Sequence, residues 1–374
     1  MAAPSLRYSG RAMCARFARL LFLLTFLLRP WSVEAAQARP QAVAASEVPR
    51  VRLIATGGTI SNKAERRLTA DELVGLIPDV ARWARVETEQ FSNQASSQLT
   101  LDQWLALARR INVVLNDDQG LAGVVITSGT DTLEELAYFL DLSIHSDRPV
   151  VVVGAMRNPS TLGYEGAANL QDAFRVAAAP GARGRGVLVV LNDEINAARD
   201  VTKTDALRLN TFQSRSYGIL GVVDADRVVF YRDVVKRHTA KSEFDLATVS
   251  TLPRVDVLMV YQGAPGDLIK AAVDQGAKGI VIATAGAGAT SGSQQEGIAY
   301  ATGKGVFAVI TTRTGSGRIA ARPRGPRSTT VPSPRSDYQI AGEDLAPLKA
   351  RILLMLALTK TQDPADVQRI FTEY

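Results

Sequence analysis

Cysteine is almost absent from this chain of 374 residues: Cys14 is the only one, and it falls within an N-terminal leader. The chain after that leader has no disulfide, no thiol nucleophile and no cysteine metal site. Histidine is nearly as scarce, with only His145 and His238. Two histidines argue against a Ser-His-Asp triad or a multi-histidine zinc centre, and each is expected on the surface or in a linker. The apolar block at residues 20–28 is too short to cross a bilayer, which takes about 20 residues. Chemistry must therefore come from hydroxyls, carboxylates, lysines and backbone amides.

What is present is a soluble, globular composition, with 46% hydrophobic and 21% charged residues and a length sufficient for two domains. The formal net charge of +6 invites a nucleic-acid reading. Residues 1–36, however, carry five arginines (Arg7, Arg11, Arg16, Arg19, Arg29) against one acid, Glu34. The remainder is near neutral, and no aromatics interleave the later arginines, so neither nucleic acid nor, once the leader is removed, a membrane is an expected partner. A basic start, a short apolar block and then small residues (Ala35, Ala36, Ala38) form the pattern of a cleaved signal peptide over 1–36. The expected location is periplasmic or secreted. Residues 37–49 read as a flexible lead-in.

From residue 50 onward, short β-branched runs alternate with helices of ten or more residues. Strands are expected at 51–55, 123–127, 149–154 and 186–191, and helices at 100–115, 133–142 and 167–179. Thr69 with Glu72, and Thr100 with Gln103, make capping-box patterns at helix starts. Residues 222–252 look like a connector that contains a short strand-like piece at 227–231. The alternation then restarts with strands at 255–261, 279–283 and 306–311 and helices at 267–274, 293–301 (a Ser293/Glu296 capping box) and 347–358. Asp363 and Pro364 open a last helix. The fold class is α/β in two domains: a larger N-terminal domain (50–221) on a mostly parallel, flavodoxin-like sheet, and a smaller C-terminal α/β domain (253–374). Residues 313–335, with arginines at 318, 322, 324, 327 and 335 and four prolines, are expected to be a solvated loop.

Four features converge on one rim of the first sheet. An apolar run ends in Thr56-Gly57-Gly58-Thr59, and a later one in Thr127-Ser128-Gly129-Thr130-Asp131. Strand, glycine turn and hydroxyl at the carboxyl end of a sheet is how an α/β protein presents a reactive group. The third feature is Arg199-Asp200-Val201-Thr202-Lys203-Thr204, and the fourth is Ser97-Gln98 in a polar loop. A threonine hydroxyl is a weak nucleophile and needs a base. Without a nearby histidine, Lys203 is the candidate, provided its surroundings keep it partly neutral. Asp131 could instead hold a substrate ammonium, and backbone N–H groups of the turns could stabilise an oxyanion.

These motifs resemble those of the bacterial type II L-asparaginases of the asparaginase/glutaminase family. Leu53 to Ser61 is similar to the family's first signature throughout. Thr127 to Thr132 is similar to the second, with Ser128 in place of a histidine and expected to support the turn. Val151–Arg157, Arg199–Thr204 and Lys349–Thr359 also resemble family segments. The resemblance implies cofactor-free hydrolysis of the side-chain amide of L-asparagine to L-aspartate and ammonia through a threonine acyl-enzyme. It implies Thr59 as nucleophile, Thr130, Asp131 and Lys203 as the accompanying catalytic set, and Ser97, Gln98 and Asp131 as the grip on the substrate's α-groups. It also implies a homotetramer, a dimer of dimers. Glutaminase-asparaginase activity of broader specificity, or a catalytically weak relative that binds an acidic amino acid or its amide, are the alternatives. One departure stands beside the nucleophile: the loop after Thr59 is short and lacks the tyrosine that family members place there. It offers Arg66, Arg67 and Leu68, none of which carries a phenol. In the C-terminal domain, Gly286 to Ala289 lacks a usual asparagine, and Glu165-Gly166 stands for an Asp-Gly pair.

Overall fold

The computed structural model describes residues 48–321 and 336–374, and Glu47–Tyr374 form one unit. The expected signal peptide, nearly all of the lead-in and residues 322–335 of the Arg/Pro tract lie outside the described residues. The first part of the chain runs β1 (Arg50–Gly57), α1 (Ala70–Gly75), β2 (Arg85–Gln94), α2 (Leu101–Asp117), β3 (Leu121–Thr127), α3 (Leu133–Ser143), β4 (Val150–Val153), α4 (Gly166–Ala178) and β5 (Val187–Leu191). Short strands follow: β6 (Glu194–Ala197), β7 (Thr202–Lys203), β8 (Phe212–Gln213), β9 (Gly221–Val223) and β10 (Val228–Phe230). The second part runs β11 (Val255–Met259), α5 (Asp267–Asp274), β12 (Gly279–Thr284), α6 (Gln294–Gly303), β13 (Phe307–Thr312), β14 (Gln339–Ala341), α7 (Pro347–Lys360) and α8 (Pro364–Glu373).

The large sheet has the order β10-β9-β6-β5-β4-β3-β1-β2. Its first five strands in sequence are parallel and stand in the order 2-1-3-4-5, the flavodoxin-like doubly wound arrangement. β6, β9 and β10 extend it antiparallel. The apolar runs are continuous rather than alternating because both faces are covered. On β1, Val51, Leu53 and Ala55 face α1 and α4, while Ile54 faces the opposite layer with α2 and α3. Full burial of Val51, Leu53 and Ile54 contributes about 1.5–3 kcal/mol each, and of the smaller Ala55 less. The smaller sheet, β11-β12-β13-β14, is parallel throughout. It has α5 and α6 on one face. On its other face α7 packs between the small sheet and α3, so both parts share one apolar layer.

Helix starts follow local chemistry. Thr69–Glu72 and Thr100–Gln103 form reciprocal capping boxes, and Asp363 caps α8 with Pro364 at its first position. The expected box at Ser293 does not form: its hydroxyl accepts the Gly266 N–H at 2.9 Å instead. The stretch expected to be a connector, 222–252, contributes β10, at its expected strand-like piece 227–231, and most of β9 to the edge of the large sheet. His238 lies in that stretch but is buried, with Nδ1 2.9 Å from the Thr239 hydroxyl.

Candidate active site

In the 2-1-3-4-5 order the chain leaves β1 toward β2 on one side and resumes at β3 on the other. The carboxyl ends of β1 and β3 therefore flank the switch point, the crevice where ligands bind in open α/β sheets. Both strands end in threonines that lock them together. The Thr56 hydroxyl donates to the Thr127 carbonyl at 2.6 Å, and the Thr56 N–H donates to the Thr127 hydroxyl at 3.1 Å.

Glycine then lets three backbones meet. Gly58 has φ of +91°, and a Cβ there would stand 2.3 Å from the Gly129 nitrogen. A Cβ on Gly129 would in turn meet the Ser96 hydroxyl at 2.7 Å. The turns after β1, β2 and β3 are thereby stacked. Thr59 opens a single 3-10 turn, Thr59–Ser61, and is half-buried, and its hydroxyl has no hydrogen bond among the described residues. Ser97 and Gln98 lie in the 3-10 turn Ser96–Gln98 after β2, both exposed, next to the buried Ser96 that touches Gly129.

From the other side comes Lys203, on the two-stranded ribbon β7–β8. Its Nζ donates to the Thr130 hydroxyl at 3.0 Å and to Asp131 Oδ1 at 2.8 Å. Thr130 is buried, the Lys203 side chain is 16% exposed and the Asp131 side chain 74%. The ion pair thus has an inner end, where lysine meets a hydroxyl, and an outer end, where a carboxylate meets solvent. The Lys203 N–H is also held by the buried Glu134 of α3 at 3.3 Å. Thr130, Asp131 and Lys203 form one hydrogen-bonded cluster. Thr59, Ser97 and Gln98 are attached to it through backbone contact, with no side-chain hydrogen bond between them and the cluster among the described residues.

Several supporting residues carry no signal in the sequence pattern. The carbonyls on either side of Thr59 are both held by side chains. That of Gly58 accepts from Arg67 at 3.1 Å and from the Ser61 hydroxyl at 3.1 Å. That of Ile60 accepts from the Tyr164 hydroxyl at 2.8 Å. Burial, with the neighbouring Glu165 charge, pushes the Tyr164 phenol up, so it stays a neutral donor. Behind Lys203, the buried Lys349 of α7 gathers the carbonyls of Ala198 at 2.6 Å and Arg199 at 2.9 Å, and that of Val201. Burial pushes its ammonium down to about 8. Arg199 itself makes a bidentate pair with Asp344, at 2.8 and 2.9 Å.

Ser128 is fully buried, and its hydroxyl donates to the Gly129 carbonyl at 3.2 Å, a turn-supporting contact. Glu165 accepts the N–H groups of Met156 and Arg157 and so closes the turn after β4. Among the described residues, no group of histidine, cysteine, aspartate and glutamate side chains is arranged to hold a metal ion.

Fold and site together define a doubly wound α/β protein with a threonine-aspartate-lysine cluster at its switch point. The family model "Asparaginase, N-terminal" matches residues 50–236, and "Glutaminase/Asparaginase C-terminal domain" matches residues 254–371. The L-asparaginase 2 of Bacillus subtilis (strain 168) is 41% identical over 88% of this chain and 87% of its own length. The glutaminase-asparaginase of Pseudomonas fluorescens biotype A is 36% identical over 94% of this chain and 97% of its own. The crystal structure of a probable cytoplasmic L-asparaginase from Campylobacter jejuni superposes with a TM-score of 0.78 at 38% identity, covering 87% of this chain and 99% of that one. The chain belongs to the asparaginase/glutaminase family.

Proposed function

We propose that the protein hydrolyses the side-chain amide of L-asparagine to L-aspartate and ammonia, with Thr59 as attacking group. The observation that carries this reading is the lysine held between a buried hydroxyl and an exposed carboxylate, 3.0 and 2.8 Å away, beside the turn that bears a second, unengaged threonine hydroxyl. The substrate's α-ammonium competes for Asp131, the outer and exposed end of that ion pair. Lys203, released from that pair and entering the cycle as the neutral amine after giving a proton to solvent, accepts a proton through Thr130. Thr59 Oγ1 bonds to the amide carbon as its proton passes to that base. The C–N bond then breaks, and the nitrogen leaves as ammonia carrying the proton back. Water repeats the sequence on the resulting ester, freeing aspartate and Thr59. Ser97 and Gln98, exposed on the neighbouring turn, receive the α-carboxylate and α-amino groups.

The matched relatives include both asparaginases and glutaminase-asparaginases by name, so hydrolysis of asparagine and of glutamine is measured on one preparation of the leaderless protein. Ammonia release from neither amide, with the fold intact, sinks the reading. Thr59→Ala and Lys203→Met are each expected to lower kcat at least 1000-fold, on the order of what removal of a nucleophile or its base costs elsewhere, with Tm within a few degrees of wild type.

The basic, apolar and small-residue pattern of residues 1–36 supports export with cleavage of the leader, which N-terminal sequencing of the mature protein checks. Assembly as a homotetramer is part of the same proposal, and light scattering tests it.

A further inference from the structure

The loop after Thr59 closes on itself. Asn62 and Arg67 form an antiparallel bridge, Leu68 N–H reaches the Ser61 carbonyl at 2.7 Å, and Ala64 N–H reaches the Ser160 hydroxyl at 2.9 Å. This closure places the Arg67 guanidinium on the Gly58 carbonyl, one residue before the attacking hydroxyl. Its neighbour Arg66 is neutralised by Glu72. Arg67 is half-buried, and among the described residues no carboxylate pairs with it.

We propose that Arg67 is a positioning residue for Thr59, and that its unneutralised charge supports the negative charge that forms on oxygen when Thr59 attacks. The inference rests on the amidohydrolase reading above. Two physical arguments carry it. First, the Gly58–Thr59 peptide plane sets where the Thr59 hydroxyl points. That plane is pinned from Gly58 by Arg67 and by the Ser61 hydroxyl and N–H, and the Ile60–Ser61 peptide, two further on, is pinned by Tyr164. Arg67 is the charged donor among them, and a hydrogen bond from a charged donor is about twice as strong as a neutral one, so losing it should loosen the turn more than losing a neutral donor. Second, a guanidinium presents five N–H donors, and only one of its nitrogens is bound to Gly58. The rest of the fork keeps its positive charge next to the turn that bears Thr59. A preorganised charge at that location acts on the transition state more than on the bound amide.

The test compares wild type, Arg67→Met, Arg67→Gln and Arg67→Lys on asparagine, with Tm for each. Wild-type turnover is measured first, and its absence sinks the functional reading together with this inference. With wild type active, kcat is expected to fall at least tenfold in R67M and R67Q while KM changes less than threefold and Tm stays within about 2 °C. R67K, which keeps the charge, is expected to recover at least a third of the lost kcat. Near-wild-type kcat in R67M and R67Q, or a loss of activity that follows Tm and is not relieved in R67K, overturns the inference and leaves the functional reading standing.

Discussion

The turn that bears Thr59, the proposed nucleophile, depends on one missing atom. A Cβ at Gly58 would lie 2.3 Å from the nitrogen and 2.4 Å from the Cα of Gly129. Those are backbone atoms that cannot rotate aside, and φ of +91° disfavours any L side chain. Gly58→Ala should therefore destabilise the protein by about 2–4 kcal/mol and lower kcat by far more than folding loss explains, because it pushes Thr59 away from Thr130. Gly75, which has nothing within 4 Å of its would-be Cβ, provides the control: Gly75→Ala should leave both quantities near wild type. Denaturant titration and steady-state kinetics on the two variants decide this. At this scale the sequence was informative where chemistry is written locally. Thr59, Thr130, Asp131 and Lys203 follow strand-glycine-hydroxyl patterns or short motifs. Arg67 was visible only as a loop residue, nine positions from the carbonyl it holds, while the roles of Tyr164 and Lys349 were opaque because each acts on a distant backbone carbonyl. Tyr164 reaches across 104 positions and Lys349 across about 150, and no local pattern announces such a contact.

Elements were legible in proportion to their length and the completeness of their signals. The helices with a hydroxyl and a glutamate or glutamine three residues later all begin where that pitch requires, α6 included, although in α6 the Ser293 hydroxyl is taken by the Gly266 N–H and caps nothing. β9 and β10, three residues each, are too short to show a period, so a strand-like piece was legible at 227–231 but its pairing at the sheet edge was not. The joint between α3 and β5 makes its own prediction. Asp141 of α3 is buried and accepts the first N–H of β5, Val187, at 2.7 Å. Burial pushes its carboxyl up to about 7, against the pull of that N–H. A carboxyl raised in the folded state contributes stability below its unfolded value of about 3.9, and that contribution is lost as pH rises through 7. Asp141→Asn keeps an acceptor for Val187 and removes the charge. Its Tm should equal or exceed that of wild type at pH 8, by up to a few degrees, with little gain at pH 4. A lower Tm at pH 8 would show that the charged form is the one the fold prefers.

At the scale of the whole molecule, the second part of the chain holds the lysine of the first. Residues 198–201, which lead into Lys203, are bound by Lys349 and Arg199–Asp344. Burial alone would raise the Asp344 carboxyl, but the Arg199 fork overcomes it and holds it well below the ordinary range. A depressed carboxylate contributes stability above its unfolded value of about 3.9, and that stability is lost as pH falls through the lower folded value. Asp344→Ala leaves the buried Arg199 without its partner and should cost about 3–5 kcal/mol at pH 7. The gap from wild type should narrow as pH drops below about 3.9. Denaturation measured across pH checks both parts, and kcat should fall with the loss of the anchor. This dependence was hidden from sequence because a domain reading treats the two halves as separately complete.

The position of Lys349 also orders events during synthesis. Thr59, Thr130 and Lys203 have all left the ribosome long before α7 does. Until α7 emerges, no ammonium gathers the three carbonyls in front of Lys203. A partly made chain can thus carry every reacting group without the frame that aligns them, and competence arrives late, when α7 docks.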